Sequence, residues 1–251
     1  MDLPIELKQK IEALYFELGK KKTSEIREKL TFKYKNQTGN SASLIENEDE
    51  AKLYAVSRMP ATFAVTTSLI GELIEEGLID ESIKTIADFG SGTGSGYFAL
   101  KEIFENADIF LFERDKNMIQ IFNKLCTENK KVCEFDMKNS SYDELKFDMV
   151  MSSFVLSEMT ESDRKTVFEK LLSVSSRYVL VIDTGTPSVY KEYMKLKAMA
   201  GKSGFSVIAP CLCKKCDLKD DYCQFYARVS RSSAMLQAKQ ATESYEDEKY
   251  F

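Results

Sequence analysis

The chain of 251 residues contains no histidine. This absence excludes Ser-His-acid hydrolases and zinc enzymes that bind their metal through imidazole. No apolar run approaches the roughly 18 residues that a membrane-spanning helix requires, so we expect no membrane partner. Residues 1–6 show neither the pattern of a secretory signal nor that of a transit peptide, so the N-terminus carries no recognisable address.

Charge is distributed unevenly along the chain. The formal net charge is −5, which gives no overall attraction to nucleic acid. Residues 20–35 nevertheless carry seven basic residues against two acidic ones, with Phe32 and Tyr34 among them. We expect a helix here, whose lysines either contact phosphates or form an ordinary solvated face.

Two hydrophobic patterns divide the chain. The first 80 residues have helical spacing, and the predicted helices lie at 5–18, after Ser24, at 49–58 and at 61–76, with a break at Pro60. From residue 83 onward, short apolar runs alternate with helical stretches. These runs are 85–89, 109–112, 132–135, 149–152 and 178–182. The alternation predicts an α/β fold with a doubly wound, mostly parallel sheet of five strands.

The same patterns suggest three parts. We expect an all-helical N-terminal cap at 1–80 and a cofactor-binding domain at 81–207. A cysteine-rich segment with a C-terminal helix would occupy 208–251. In doubly wound sheets the ligand binds outside the carboxyl ends of the strands, where the strand order reverses.

A glycine-rich loop directly follows the first predicted strand. It reads Asp88-Phe89-Gly90-Ser91-Gly92-Thr93-Gly94 and precedes a predicted helix. The nicotinamide fingerprint G-x-G-x-x-G fails in either register, and no Gly-Lys-Ser/Thr follows to make a P-loop. The loop does fit the acidic-x-Gly-x-Gly-x-Gly pattern of methyltransferases that bind S-adenosylmethionine. Asp88 suits that cationic ligand better than it would suit a pyrophosphate.

Two further acidic residues follow later strands at the same edge. Glu113 closes the second strand, where a carboxylate can accept both ribose hydroxyls in charge-assisted bonds. Asp136 follows the third strand and is the candidate on the adenine side. The alternative is that the glycines only make a tight turn and that these acids are solvated strand ends.

The segment after the fourth strand gives little indication of the methyl acceptor. Ser152–Glu158 lacks the Asn/Asp-Pro-Pro-aromatic motif typical of enzymes that methylate exocyclic amines. With no histidine, Asp183, Glu158 or Asp136 would have to accept any proton. Cys211 after Pro210 is the only prospect for a cysteine nucleophile.

Four cysteines lie close together near the C-terminus: Cys211, Cys213, Cys216 and Cys223. Four thiolates at this spacing fit zinc or an iron–sulfur cluster. Free thiols and disulfides are the alternatives; disulfides are less expected because no secretion signal is present. Cys126 and Cys133 are interpreted as ordinary small apolar residues.

Several segments together resemble the methyltransferase-like small-ribosomal-subunit assembly proteins of mitochondria and bacteria. The matching segments are Ala55–Ala64, the glycine loop with Glu113, Val181–Pro187, Ala209–Arg231 and Tyr245–Lys249. The resemblance implies a methyltransferase fold that binds S-adenosylmethionine, a cysteine-ligated [4Fe–4S] cluster and binding to small-subunit ribosomal RNA. Leu212-Cys213 stands where the family usually has histidine, so either Cys213 completes the cluster or the cluster lacks a ligand. The residues expected to contact RNA are Arg58, Lys33, Lys35, Arg228 and Arg231.

Three functions remain open from the sequence. The first is a ribosomal RNA-binding assembly factor that uses its cofactor and cluster structurally. The second is an active methyltransferase on ribosomal RNA. The third is a methyltransferase for a small molecule or a protein, with a lid held by zinc. A bacterial origin would place the protein in the cytoplasm and a eukaryotic origin in the mitochondrial matrix.

Overall fold

The fold is seen in a computed structural model that describes residues 2–36, 44–127, 131–134, 144–210, 221–239 and 246–251. The helices are α1 (Ile5–Leu18), α2 (Lys20–Asn36), α3 (Glu48–Glu75), α4 (Ser95–Ile103), α5 (Lys116–Leu125), α6 (Glu161–Val174), α7 (Pro187–Lys202) and α8 (Ser233–Lys239). The strands are β1 (Thr85–Phe89), β2 (Asp108–Glu113), β3 (Lys131–Glu134), β4 (Phe147–Ser153), β5 (Ser175–Ile182), β6 (Tyr226–Ser230) and β7 (Glu246–Tyr250). Within these ranges, no helix combines the length and apolar character needed to cross a membrane.

The central sheet has five parallel strands in the order β3-β2-β1-β4-β5. The parallel α/β architecture predicted from the alternating pattern is therefore confirmed, and each predicted run falls within or beside one of the five strands. The chain builds one half of the sheet outward from β1 and then returns to add β4 on the other side of β1. This reversal between β1 and β4 creates the crevice in which such folds bind ligands.

Strand β1 lies at the centre of the sheet and is buried on both faces. Ile86 packs in the cluster that contains α4, whereas Ala87 and Phe89 pack with α6 on the opposite face. The Phe89 ring stacks on Phe112 of β2 with 4.4 Å between ring centroids. Continuous apolar sequence is typical of a strand buried on both faces, and it fixes the position of the residues that follow β1.

A second sheet, which the sequence analysis did not predict, contains β6 and β7. The two strands are antiparallel, and Phe225 and Phe251 exchange backbone hydrogen bonds of 2.9 Å at one end. Ala227 and Val229 of β6 are buried and join the core beside α3. The C-terminal helix α8 packs in turn with α1 and α3. Segments near the C-terminus thus complete the core formed by the N-terminal helices.

Helix α3 runs without interruption through Pro60, so the predicted break between two helices is wrong. Pro60 has no N–H to offer the carbonyl of Val56, which should weaken the helix at this point. One residue further on, the carbonyl oxygen of Ser57 accepts a hydrogen bond of 2.9 Å from Nη1 of Arg231. Packing also supports α3 along its length, since its residues belong to two hydrophobic clusters. Tertiary contacts therefore override the local preference of proline.

Several lysines of α2 are paired with carboxylates around the start of α3. Lys33 Nζ lies 2.8 Å from Glu50 Oε2 and donates to the carbonyl of Leu44. Lys29 contacts Glu50 and Glu46 at 2.9 and 2.7 Å. Lys33 is only 4% exposed and Glu50 only 1%. The expectation that Lys33 contacts RNA is therefore wrong, because the fold directs this side chain inward.

We expect Lys33→Met to destabilise the protein by about 3 kcal/mol, because the substitution leaves the Glu50 carboxylate buried without its main partner. The matched control is Lys29→Met, which removes a half-exposed lysine from the same carboxylate and should cost less. Urea denaturation followed by circular dichroism measures both. Equal losses of unfolding free energy in the two variants would show that burial of the Lys33–Glu50 pair does not add to its contribution to stability.

Candidate cofactor site

The glycine loop lies between the carboxyl end of β1 and the first turn of α4, and its backbone has a conformation that favours glycine. Gly90 and Gly94 have φ of 75° and 87°, which residues with a Cβ rarely adopt. A Cβ at Gly94 would lie 2.3 Å from Phe122 Cδ2, and one at Gly90 would lie 2.5 Å from Val155 Cγ2. A Cβ at Gly92 would meet nothing within 4 Å, so this residue borders open space. The loop is thus packed tightly from behind and open on one side.

Glu113, at the end of β2, is hydrogen-bonded to this loop. Its Oε2 accepts a hydrogen bond of 2.8 Å from the amide of Gly92. Its Oε1 accepts from the amides of Arg114 and Asp115, also at 2.8 Å. Burial raises the pKa of this carboxyl, and the three amides oppose that shift. Glu113 therefore fixes the loop next to the end of β2.

Asp88 is a buried carboxyl that lacks a full set of partners. It is 2% exposed, and its Oδ2 has no hydrogen-bond partner among the described residues. Burial, with a contribution from Glu113, raises its pKa to about 7. A Cβ at Gly96 would lie 2.5 Å from Asp88 Oδ2, so only glycine lets α4 begin so close to this carboxyl. An unpartnered buried carboxyl is costly, and a cationic ligand would reduce that cost.

A cleft that is partly open to solvent lies beside the loop. Its floor includes two hydroxyl oxygens, Thr93 Oγ1 and Ser153 Oγ, that are buried without a partner in the described structure. Helix α3 supplies two more lining residues, Tyr54 and Thr62. The full lining is Tyr54, Thr62, Asp88, Gly90, Ser91, Gly92, Thr93, Ser95, Gly96 and Ser153.

The chemistry of this cleft favours some ligands over others. None of the described lining residues is basic, and Asp88 lies in its wall, with Glu113 behind Gly92. A pyrophosphate would meet negative charge here, whereas a nucleoside with a cationic tail would be attracted. The unpartnered hydroxyls and carboxyl provide hydrogen-bond acceptors and donors for a polar ligand. The residues present therefore fit S-adenosylmethionine.

The turn after β4 borders the same region. Phe154 has φ of 57°, a conformation uncommon outside glycine, directly after the lining residue Ser153. Asp183 at the end of β5 holds this turn by accepting hydrogen bonds from the amide and hydroxyl of Ser157 at 2.9 and 2.6 Å. It also accepts from the Tyr193 hydroxyl at 3.0 Å. Asp183 therefore acts as a structural anchor.

Glu158 is the more available carboxyl at this turn. It is half-buried, and burial together with repulsion from Asp183 raises its pKa to about 8. A carboxyl with a pKa near neutrality can gain or lose a proton under physiological conditions. Glu158 is thus a candidate proton acceptor.

The remaining residues proposed from the sequence are scattered or lie outside the described residues. Asp136, Cys211, Cys213 and Cys216 belong to the latter group, and Lys35 lies on α2. Cys223 is exposed and forms no disulfide. In the described part of the chain, no three cysteine or acidic side chains are grouped to hold a metal.

Two arginines proposed for RNA contact, Arg58 and Arg228, are exposed, whereas Arg231 is 5% exposed. Arg231 supports α3 through Ser57, so its main role is structural. Sequence reasoning missed Tyr54 as a lining residue, and it singled out the segments that contain Thr93 and Ser153 without naming these two residues. A signal existed for Thr62, which lies in the Ala55–Ala64 segment.

Comparison with known proteins identifies a family and a fold. A family model described as "Mitochondrial small ribosomal subunit Rsm22" matches residues 48–251. The plantazolicin methyltransferase BpumL in complex with SAH is similar in structure, with a TM-score of 0.52 and 14% identity over 96% of this chain and 97% of that one. This similarity shows the methyltransferase fold.

A further similar structure is the magnesium protoporphyrin IX methyltransferase from Synechocystis PCC 6803 with bound SAH. Its TM-score is 0.47, with 14% identity over 75% of this chain and 81% of that one. A search of curated protein sequences gives no match.

The raised pKa of Asp88 predicts how stability depends on pH in the absence of ligand. Between the unfolded pKa near 4 and the folded pKa of about 7, the folded state binds more protons, so stability falls as pH rises. In the wild-type protein, the Asp88 carboxyl should make the free energy of unfolding roughly 2–3 kcal/mol larger at about pH 5 than at about pH 8. We expect Asp88→Asn to abolish this contribution. Glu105→Gln, at an exposed carboxyl, is the control. Urea denaturation at both pH values measures the two free energies of unfolding. If Asp88→Asn shows the same difference between the two pH values as the wild-type protein, the prediction is wrong.

Proposed function

The chain belongs to the family described as Mitochondrial small ribosomal subunit Rsm22, and from this membership we propose that it binds S-adenosylmethionine and acts on the small ribosomal subunit during assembly. The cofactor would occupy the cleft between the glycine loop and α3. In a eukaryotic cell the site of action would be the mitochondrial matrix, and in a bacterium the cytoplasm.

The observation that carries the cofactor proposal is the buried carboxyl of Asp88 beside a glycine cradle. Its Oδ2 is unpartnered in the described structure, and burial together with the nearby Glu113 carboxyl raises its pKa. Glu113 lies on the adjacent strand and already faces the loop amides. Ribose hydroxyls could replace part of that hydrogen bonding, since a carboxylate has several acceptor sites.

The reaction would depend on positioning more than on covalent chemistry by the protein. When bound, S-adenosylmethionine supplies an electrophilic methyl group. Asp88 would attract the cationic part of the cofactor, and Glu113 would hold the ribose. Glu158 would accept a proton from the methyl acceptor, while Asp183 keeps the turn that carries Glu158 in place through Ser157.

We further propose that the protein binds small-subunit ribosomal RNA. The family description supports the small ribosomal subunit as the partner. Arg58 and Arg228 are exposed, and we propose that they contact phosphates, with Lys35 retained as a candidate from the sequence. Whether the protein transfers a methyl group to this RNA or uses the cofactor to stabilise an assembly factor is decided by incubation with labelled S-adenosylmethionine.

We expect Glu113→Gln to weaken binding of S-adenosylmethionine by roughly ten- to a hundredfold, because a charge-assisted hydrogen bond contributes about 1.5–3 kcal/mol. Isothermal titration calorimetry with S-adenosylmethionine, its demethylated product and a nicotinamide dinucleotide measures this. Asp108→Asn, at an exposed carboxyl on the same strand, is the matched control.

Wild-type protein that releases no heat with either adenosyl compound but binds the dinucleotide would refute the cofactor proposal. Binding without label transfer to small-subunit RNA would favour an assembly factor. Label transfer to a small molecule or a protein instead would favour the alternative methyltransferase function.

We also propose that Cys211, Cys213, Cys216 and Cys223 bind a [4Fe–4S] cluster. The support is their spacing in the sequence and the exposed, unbridged thiol of Cys223. Protein purified without oxygen should be brown and contain about four irons per chain. Cys223→Ser should lower the iron content, while Cys126→Ala, at a buried cysteine, should not. A colourless, zinc-loaded protein would contradict the iron–sulfur proposal.

A further inference from the structure

Basic side chains from three separate segments lie near one another, and two of them flank the cofactor cleft. They are Arg58 of α3, Lys239 at the end of α8 and Lys249 of β7, with Arg231 behind them. We propose that Arg58, Lys239 and Lys249 form a phosphate-binding surface that holds the backbone of an unpaired RNA segment at the mouth of the cleft. The inference rests on the proposed function and deepens it, because it says which surface receives the RNA and in what form.

Two of the three cations are placed directly beside the cleft. Tyr54 lines the cleft, and Arg58 follows it by one helical turn on α3. The Arg58 guanidinium lies 5.8 Å from the centre of the Tyr34 ring, which stacks on Tyr54. On the other side, Lys249 Nζ lies 4.9 Å from the centre of the Phe154 ring. Because Phe154 follows the lining residue Ser153, the basic groups flank the opening.

The fold holds these positive charges together against their mutual repulsion. Burial and repulsion from Arg231, Arg58 and Lys249 lower the pKa of Lys239 to about 8. Burial and repulsion from Arg58 and Arg231 also lower the pKa of Lys249, and Asp183 opposes that shift. A bound phosphate would relieve this repulsion. Arg231 is buried, so it contributes charge and not direct contact.

The lysines of α2, which the sequence indicated first, differ in their surroundings. Lys22, Lys29 and Lys33 each pair with carboxylates near the start of α3. Near Arg58 and Lys249, by contrast, Asp183 is held by four donors, from Ser157, Thr184 and Tyr193. Three lysines of α2 are thus paired with carboxylates, whereas Arg58 and Lys249 lie against aromatic rings beside the cleft.

The form of the RNA follows from the shape of the site. A base inside a duplex cannot enter a cleft that lies between the glycine loop and α3, so a reacting or bound base must be unpaired. Aromatic rings between basic groups are typical of surfaces that bind single strands, since bases stack on the rings while cations contact phosphates. Tyr34, Tyr54 and Phe154 provide such rings beside Arg58 and Lys249.

The test measures how RNA affinity depends on salt. The probe is a fluorescent oligouridylate of about 12 nucleotides, titrated at several salt concentrations by anisotropy. For single strands, each lost phosphate contact should reduce the log–log salt slope by about 0.7. We therefore expect a reduction of about 0.7 in each of Arg58→Gln, Lys239→Gln and Lys249→Gln, and of about 2 in the triple variant.

The matched controls are Lys20→Gln and Lys21→Gln, which remove exposed charges from α2. An unchanged slope in the triple variant, or an equal reduction in the α2 controls, would overturn the phosphate surface. Polyglutamate could also displace the labelled RNA as effectively as unlabelled RNA does. That result would overturn the phosphate-surface proposal in favour of an acidic protein partner. Calorimetry with S-adenosylmethionine on the same variants distinguishes failure of the phosphate-surface proposal from failure of the cofactor proposal. Variants that lose only the phosphate surface should still release heat when they bind S-adenosylmethionine. If the cofactor proposal is wrong, neither the wild-type protein nor the variants should release heat.

Discussion

The site depends on two carboxyl groups buried at the ends of neighbouring parallel strands. Glu113 fixes the glycine loop through the amide of Gly92, and Asp88 remains with an unpartnered oxygen in the described structure. The positive φ of Gly90 and Gly94 and the close approach of α4 to Asp88 are the geometric conditions for this arrangement. Any side chain at these glycines would displace the loop or the helix, so the carboxyls and the glycines form one unit.

Charge is separated between the interior of the site and its rim. Acidic groups lie at the glycine loop, whereas Arg58 and Lys249 lie where the cleft opens. A net charge of −5 therefore says little about whether this chain binds RNA. Electrostatic attraction depends on local potential, and a basic rim can attract phosphates on an acidic protein. The same separation keeps phosphates away from the cleft itself and favours a cationic nucleoside there.

Much of the fold and part of the site could be predicted from sequence. The five apolar runs correspond to β1–β5 because strands of a parallel sheet that is covered by helices are rich in apolar residues. The loop and Glu113 were found because glycine and acidic positions follow strand ends directly. Tertiary contacts were not predictable: Pro60 lies inside a continuous helix, and Lys33 is buried against Glu50. Neither local propensity nor charge counting shows which partner a distant segment will supply.

Helix α3 links the two halves of the proposed function. Tyr54 and Thr62 line the cleft, and Arg58 lies between them in sequence and reaches the rim. Arg231, from the segment after β6, is bonded to the carbonyl of Ser57 and so connects the basic rim to the same helix. A shift of α3 would move the cofactor-lining residues and the phosphate-contacting residue together. Because one helix carries both sets of contacts, its position determines how the basic rim lies relative to the cofactor cleft.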